Sequence, residues 1–266
     1  MIAPLAKGRR TLIFKGAQSA MNRIVAIKIV KPEAAKDIEI VRWFTVGTKA
    51  SVKLRHEDTL TPLGGGRDKD IVHSFSPYME NGNAEQHFAN AVHKGLASVK
   101  RSLEAVVHVA RALEYGLSKK VLHLGLRPSK ILFNEGWRPK LIGLGFYNTF
   151  TTPNTKTTPA IAAYLAPEQV SGSATPSFST DIFALGATFY YMLTGNIPDR
   201  DHRQRIASPK QFNAAIPDSI CRIIERMLAP EPKQRYASYG QLIHDLRWAL
   251  RGEAWPQRPQ PARSRR

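Results

Sequence analysis

The side chains best suited to chemistry in this sequence are cations carried by two apolar segments. Lys28 ends the run Val25-Ala26-Ile27-Lys28, and Arg127 and Lys130 lie in the segment 123–130. Lysine and arginine donate hydrogen bonds and accept none, so their side chains bind anions rather than metal ions. Wherever the fold brings such side chains together, they suit an anion rather than a metal ion.

Carboxylates are scarce in the part of the chain that carries Arg127 and Lys130. Between Glu114 and Glu168 the only acidic residue is Glu135, which falls in the turn of a predicted hairpin. Mg²⁺ prefers carboxylate and phosphate oxygens as ligands. The sequence therefore predicts no metal site here.

The composition is that of a globular protein with a strong positive charge. The chain has 266 residues and a formal net charge of +18, a balance that favours anionic partners. The longest nearly uncharged apolar run, Ile182 to Leu193, is shorter than the roughly 18 residues that a membrane-spanning helix requires. One cysteine, Cys221, excludes an internal disulfide and fits a reducing compartment, so we expect a cytoplasmic protein.

The elements that must position these cations divide the chain in two. Residues 1–78 read as short strands with one helix over 33–54. Gly64-Gly65-Gly66 followed by Arg67-Asp68-Lys69-Asp70 predicts a tight turn before another strand over 71–78. A linker or hinge near 77–83 follows. Residues 79–250 read as mostly helical with one hairpin, and residues 251–266 form a basic tail rich in proline and arginine. The predicted fold class is therefore α+β, with a small antiparallel β lobe and a larger helical lobe.

An ordered set of motifs resembles the protein kinase fold, most closely its bacterial serine/threonine branch. These motifs are Val25-Ala26-Ile27-Lys28, His123-Leu124-Gly125-Leu126-Arg127-Pro128-Ser129-Lys130, Gly143-Leu144-Gly145, Ala166-Pro167-Glu168 and Asp181…Gly186. The resemblance covers about residues 5–250 and implies that four residues support the scaffold. Glu168 would pair with Arg235, Asp181 would hold the backbone of the loop at 123–130, and His123 would pack beneath that loop.

The same resemblance implies that the catalytic positions are degenerate. Gly125 stands where the family has the aspartate that accepts a proton, and Gly143 stands where it has a metal-binding aspartate. Lys130 replaces a metal-binding asparagine. The glutamate that would pair with Lys28 is replaced by Gly47, unless a shift of register brings Glu39 to that position. We therefore expect no catalytic residue and no bound metal.

The resemblance also indicates where a nucleotide would bind. The candidate residues are Gly8, Lys28, Pro77, Met79, Arg127 and Lys130. Pro77 would offer a carbonyl and Met79 an N–H to an adenine edge, and the three cations would bind phosphates. ATP or ADP is thus a possible ligand without Mg²⁺, and no cofactor is required. A wet or collapsed cleft with its cations turned outwards is the other interpretation, and the sequence slightly favours it.

The expected function is that of a pseudokinase, a non-enzyme that acts as a scaffold or allosteric regulator in phospho-signalling. Its partner would be an active kinase, which phosphorylates Thr155, Thr157 or Thr158, or a domain that reads phosphothreonine. One alternative is a non-standard transferase that uses nucleotide on the same fold. A second is a basic module that associates with nucleic acid, which is disfavoured because the basic residues are spread along the chain.

Overall fold

The computed structural model describes residues 2–91, 99–146, 159–199 and 206–252. Within these ranges the chain forms two lobes. The first is a five-stranded antiparallel sheet with two helices, and the second is mostly helical. The fold class predicted from the sequence is confirmed. The predicted tail lies largely outside the described residues, as do Thr155, Thr157 and Thr158.

The sheet of the small lobe places Lys28 next to the hinge strand. Its strands are β1 Ala3–Lys7, β2 Thr11–Gln18, β3 Arg23–Val30, β4 Gly64–Asp68 and β5 Ile71–Pro77, in the spatial order β1-β2-β3-β5-β4. Lys28 lies on β3 opposite Ser74 of β5, and Val25 lies opposite Pro77. Since β3 is a central strand, its pairing on both sides fixes the backbone from which Lys28 projects.

The helix predicted over 33–54 is interrupted. It forms two helices, α1 Pro32–Ala35 and α2 Ile38–Val52. Asp37 lies between them in an extended conformation, and its side chain accepts a hydrogen bond from the N–H of Glu39 at 2.9 Å. An aspartate that caps a helix N-terminus in this way starts a new helix, because it satisfies a donor that the first turn leaves unpaired.

The tight turn predicted over 64–70 forms at the last residues of that segment. The three glycines Gly64, Gly65 and Gly66 belong to strand β4, and the turn follows at the end of β4, where Lys69 has a φ of 50°. A Cβ on Gly65 would lie 2.6 Å from the carbonyl oxygen of His73 on β5. Glycine at this position therefore allows strands β4 and β5 to approach closely.

The larger lobe is built around a buried central helix. After α2 its helices are α3 Ala84–Ala91, α4 Val99–Ser118, α5 Pro159–Ala162, α6 Pro167–Ser171, α7 Phe178–Thr194, α8 Asp218–Met227 and α9 Tyr239–Leu250. All residues of α7 from Ser179 to Thr194 are buried, and α7 packs against α4 and α8. The long, largely apolar run from Ile182 to Leu193 thus marks a core helix. No described helix is long and apolar enough to span a bilayer.

A short hairpin separates the two loop segments of the candidate site, residues 123–130 and 142–146. Its strands are β6 Ile131–Phe133 and β7 Pro139–Leu141, which pair in antiparallel register as the sequence predicts. A 3₁₀ turn at Pro128–Lys130 leads directly into β6. The segment 142–146 follows β7, so the two glycine-containing segments of the candidate site emerge from the two ends of one hairpin.

Candidate functional site

A buried carboxylate organises the loop that begins at His123. Asp181 accepts hydrogen bonds from the backbone N–H groups of His123 and Leu124 at 2.6 and 2.7 Å. Leu124 has a φ of 54°, a conformation that costs energy for a residue with a side chain. Burial raises the pKa of Asp181 to about 6, against the opposing effect of these two hydrogen bonds. The carboxylate thus holds a strained backbone in place.

His123 supports the same loop from below. It is fully buried, with Nε2 3.0 Å from the carbonyl oxygen of Ile142. Burial lowers the pKa of His123 to about 4, in spite of this hydrogen bond. A histidine that stays neutral at physiological pH acts here as a spacer between the loop and the end of the hairpin, and it contributes no charge to the site.

Lys130 and Arg127 form the charged part of the loop. Arg127 Nε donates to the Ser129 hydroxyl at 3.0 Å, which aligns its guanidinium along the turn. Burial, together with the positive charge of Arg127, lowers the pKa of Lys130 to about 7. Among the described residues neither side chain forms an ion pair with a carboxylate. Two cations therefore share this part of the cleft, and the described residues supply no carboxylate counter-charge to either.

The two positions that would hold a metal in the resembled fold carry no oxygen ligand. Lys130 has an ammonium group there and Gly143 has no side chain, and Gly143 has a φ of +89°, which favours glycine. A Cβ built on Gly143 would approach His123 Nε2 to 3.8 Å, so the space itself is open. In the described part of the chain no group of three histidine, cysteine or acidic side chains could hold a metal ion. The residues present do not fit Mg²⁺.

Aromatic rings surround Lys28 on the side of α2. Its Nζ lies 4.7 Å from the ring centroid of Phe146, 5.6 Å from that of Phe44 and 5.9 Å from that of Trp43. Gly47, one turn after these α2 residues, lies against the Phe146 ring. Glu39 is exposed at the start of α2. The register that puts Gly47 beside the Lys28 site is thus the one that the structure adopts.

The other candidate nucleotide residues lie at the edges of the cleft. Gly8 is exposed in the turn between β1 and β2, where its N–H donates to the Thr11 carbonyl at 2.8 Å. Pro77 ends β5 and Met79 follows in the hinge, both partly exposed. A Cβ on Gly8 would make only ordinary contacts at 3.4 Å, so this glycine is not required by its own surroundings.

Glu168 and Arg235 form a buried ion pair in the helical lobe. Arg235 donates from Nη1 and Nη2 to the two carboxylate oxygens, each at 2.8 Å. Burial raises the pKa of Glu168, but the hydrogen bonds and charge of Arg235 outweigh it and hold that pKa below its ordinary value. The pair joins α6 to the segment before α9, away from the cations of the cleft.

Phe146, Phe44 and Trp43 were not identified as site residues from the sequence. Trp43 and Phe44 fit the helical spacing of an ordinary buried face, and Phe146 follows a motif whose expected aspartate is missing. The sequence contained one signal: Gly47, at the position of the expected glutamate, leaves room beside Lys28 for a large side chain. The sequence alone did not show which side chain fills that room.

Comparison with known proteins identifies the family. The family model described as "Protein kinase domain" matches residues 2–246. A probable serine/threonine-protein kinase of Clostridium perfringens is 27% identical over 91% of this chain, and the serine/threonine-protein kinase PrkC of Bacillus subtilis is 26% identical over 86%. The chain spans 37% of the length of each. The solved PknI kinase domain of Mycobacterium tuberculosis superimposes with a TM-score of 0.73 at 22% identity, over 92% of both chains.

The prediction that the chain is not an enzyme is wrong in the light of these relatives. Proteins 26–27% identical to it are named serine/threonine-protein kinases, which points to a kinase rather than a non-enzyme. Phosphoryl transfer depends mainly on positioning and charge neutralisation, which more than one set of side chains can supply. Missing carboxylates at Gly125 and Gly143 therefore do not by themselves exclude chemistry in the cleft.

Proposed function

The chain belongs to the protein kinase family, and we propose that it is a divergent member that binds nucleotide phosphates through fixed cations. In this role Lys28, Arg127 and Lys130 neutralise the phosphates, with no metal ion held by carboxylates. The bound nucleotide sets the conformation that the domain presents to a protein partner in serine/threonine phospho-signalling. The domain then acts as a scaffold or allosteric regulator.

The observation that carries this proposal is the environment of Lys130. Burial and the charge of Arg127 lower its pKa to about 7, so the site holds more positive charge than its surroundings stabilise. A bound phosphate supplies the missing negative charge and returns Lys130 to its protonated form. Gly125 and Gly143 leave the adjoining space open, since no side chain from either position enters it.

The rigid support beneath these cations is consistent with regulation by a ligand. Asp181 fixes the loop backbone at His123 and Leu124, so a ligand that binds this loop engages a defined conformation. A ligand shifts a conformational equilibrium only by its differential affinity for the two states. One phosphate chain can contact both the loop in the helical lobe and Lys28 in the small lobe. We therefore expect the nucleotide to bind more tightly to the conformation in which the two lobes bring these groups together.

The partner remains a prediction from the sequence. Thr155, Thr157 and Thr158 stand as candidate phosphosites for an active kinase, and phosphorylation of each would add about −1.5 to −2 charge to a basic protein. A domain that reads phosphothreonine is the corresponding partner. Intact-mass analysis after co-expression with a cognate kinase tests this, and unmodified threonines would contradict it.

Titration calorimetry with ADP tests the binding function directly. We expect ADP to bind in EDTA with an affinity roughly in the micromolar to millimolar range. Excess Mg²⁺ should not strengthen binding, and added salt should weaken it because the attraction is between partly exposed charges. Binding that appears only with Mg²⁺, or no binding in either condition, would contradict the proposal.

Matched charge-removing variants separate the cleft from the general basicity of the chain. Lys130→Met should weaken ADP binding about tenfold or more, since it removes a charge at the phosphate site. Lys233→Met removes the same charge from an exposed position of the helical lobe and should leave the affinity unchanged. Equal losses in both variants would indicate nonspecific attraction.

A second candidate function is a nucleotide-dependent transferase, and the lowered pKa of Lys130 favours it. An amine with a pKa of about 7 is half deprotonated near neutral pH and can accept a proton from a hydroxyl group. In such a reaction the acceptor oxygen bonds to the γ-phosphorus of ATP, the bond to the bridging oxygen breaks, ADP leaves and the hydroxyl proton moves to Nζ of Lys130. This role agrees with the names of the relatives.

Transfer of labelled phosphate from ATP to protein substrates tests this second function. Lys130→Arg keeps a positive charge but cannot accept a proton at neutral pH, so transfer should be lost while ADP binding persists. Transfer that survives in Lys130→Arg would exclude Lys130 as the proton acceptor.

A further inference from the structure

The aromatic rings around Lys28 form a three-sided cage. Trp43 and Phe44 come from α2, and Phe146 comes from the segment after β7. The Phe146 ring meets those of Trp43 and Phe44 edge-on, with centroids 5.7 and 6.3 Å apart. Lys28 Nζ is closest to Phe146, at 4.7 Å from its centroid, within the range in which a ring face attracts a cation.

Two backbone contacts and one glycine fix Phe146 in this cage. Trp43 Nε1 donates to the Phe146 carbonyl oxygen at 2.9 Å, and Ser51 Oγ donates to the Leu144 carbonyl oxygen at 2.6 Å. A Cβ on Gly47 would lie 2.7 Å from Phe146 Cδ1, so the ring occupies space that only glycine leaves open. The Phe146 ring is therefore held in place by packing against Gly47 and by these two hydrogen bonds.

We propose that Phe146, together with Trp43 and Phe44, is a positioning residue that holds the Lys28 ammonium for contact with nucleotide phosphate. In the resembled fold a glutamate at the position of Gly47 would orient the lysine and also neutralise it. Aromatic faces orient a cation through their quadrupole but carry no net charge. The three rings therefore orient the Lys28 ammonium without adding a negative charge of their own.

This inference deepens the proposed function and rests on it, because it assigns the cage to nucleotide binding without metal. A site that lacks metal ions must obtain positive charge from side chains alone. A cage that orients Lys28 without neutralising it therefore complements the cations Arg127 and Lys130 on the other lobe. Cation–π attraction is strongest where water is excluded, and Phe146 and Phe44 are both buried.

Stepwise fluorination of one ring tests the cage without changing its shape. Phe146 is replaced by phenylalanine with one, two and three ring fluorines, which progressively weaken the negative potential of the ring face. We expect the affinity for ADP in EDTA to fall stepwise, to about threefold to tenfold weaker with three fluorines. The same series at Phe189, fully buried in α7, is the matched control and should leave the affinity unchanged. A flat series at Phe146 would overturn the proposal.

A measurement without nucleotide separates the cage from the proposed function. In the unmodified protein the ε-methylene resonances of Lys28 should be shifted upfield by ring currents, and Phe146→Leu should reduce that shift. Unshifted resonances in the unmodified protein would overturn the cage. A clear shift in a protein that does not bind ADP would instead contradict the nucleotide-binding function and leave the cage without its proposed role.

Discussion

Arg235 and Lys130 are both cations inside the helical lobe, but their surroundings differ sharply. Arg235 donates to both oxygens of Glu168 and to the carbonyl oxygens of three further residues, which are Ser179, Ala229 and Pro230. In the described part of the chain Lys130 meets no carboxylate and lies near Arg127. The first cation has its charge and its donors satisfied by the protein, whereas the second has no carboxylate partner among the described residues.

The ionisation of the two sites shows the same contrast. At the Arg235 site burial opposes ionisation of Glu168, yet the ion pair wins and the carboxyl pKa lies below its ordinary value. At the cleft burial and a like charge act together, and the pKa of Lys130 falls to about 7. The charges of the Arg235 site are therefore balanced within the protein, whereas those of Lys130 and Arg127 are not balanced by the described residues.

The largest effect should come from breaking the balanced site. Arg235→Ala leaves Glu168 buried and unpaired, and we expect the free energy of unfolding to fall by about 3–5 kcal/mol. Urea unfolding followed by circular dichroism measures this loss. Lys233→Ala, two residues away and exposed, should change the stability by less than about 0.5 kcal/mol. Equal stability of the two variants would mean that the pair does not support the fold.

Much of the fold follows from the sequence because its signals are local. The buried run of α7, the hairpin at Ile131–Phe133 and the amphipathic α4 are each encoded within a few turns or strands. The order of the motifs along the chain then indicates that these elements belong to a protein kinase fold. The errors in the small lobe, at Asp37 and at the three glycines of β4, arose because a cap and a strand–strand approach depend on neighbours that the local pattern does not include.

The aromatic cage could not be predicted because it depends on contacts across the chain. Phe146 is 103 residues from Trp43, and its place beside Gly47 follows from the path of the segment after β7. A lost carboxylate can be read from the sequence, but the group that replaces it cannot. The same limit explains why the missing acids at Gly125 and Gly143 gave a wrong conclusion about enzymatic activity.

Two buried glycines extend the comparison between scaffold and cleft. A Cβ on Gly186 of α7 would lie 2.7 Å from Met227 Cβ, an atom fixed to the α8 backbone, whereas at Gly47 the clash is with the Phe146 ring. Overpacking costs about 1–3 kcal/mol, and alanine regains about 1 kcal/mol of helix propensity. We therefore expect Gly186→Ala to lower the free energy of unfolding by about 1 kcal/mol, and Gly47→Ala by less. A larger loss at Gly47 would show that the cage is as rigid as the helical core.

The smallest effect should be a pH dependence of ligand binding at the unbalanced site. Since the pKa of Lys130 is about 7, the amine loses its charge as the pH rises through neutrality, and a bound phosphate favours its protonated form. The affinity for ADP in EDTA should therefore fall about threefold to tenfold between pH 6 and 8.5. Lys130→Arg remains charged over this range and should bind ADP with much less pH dependence. Calorimetry of both proteins with ADP separates this effect from the titration of ADP itself, which is the same in the two experiments. If the affinities of the unmodified protein and of Lys130→Arg changed with pH in the same way, the ligand would not contact Lys130. The difference between Lys130 and Arg235 would then concern only how the two side chains are packed.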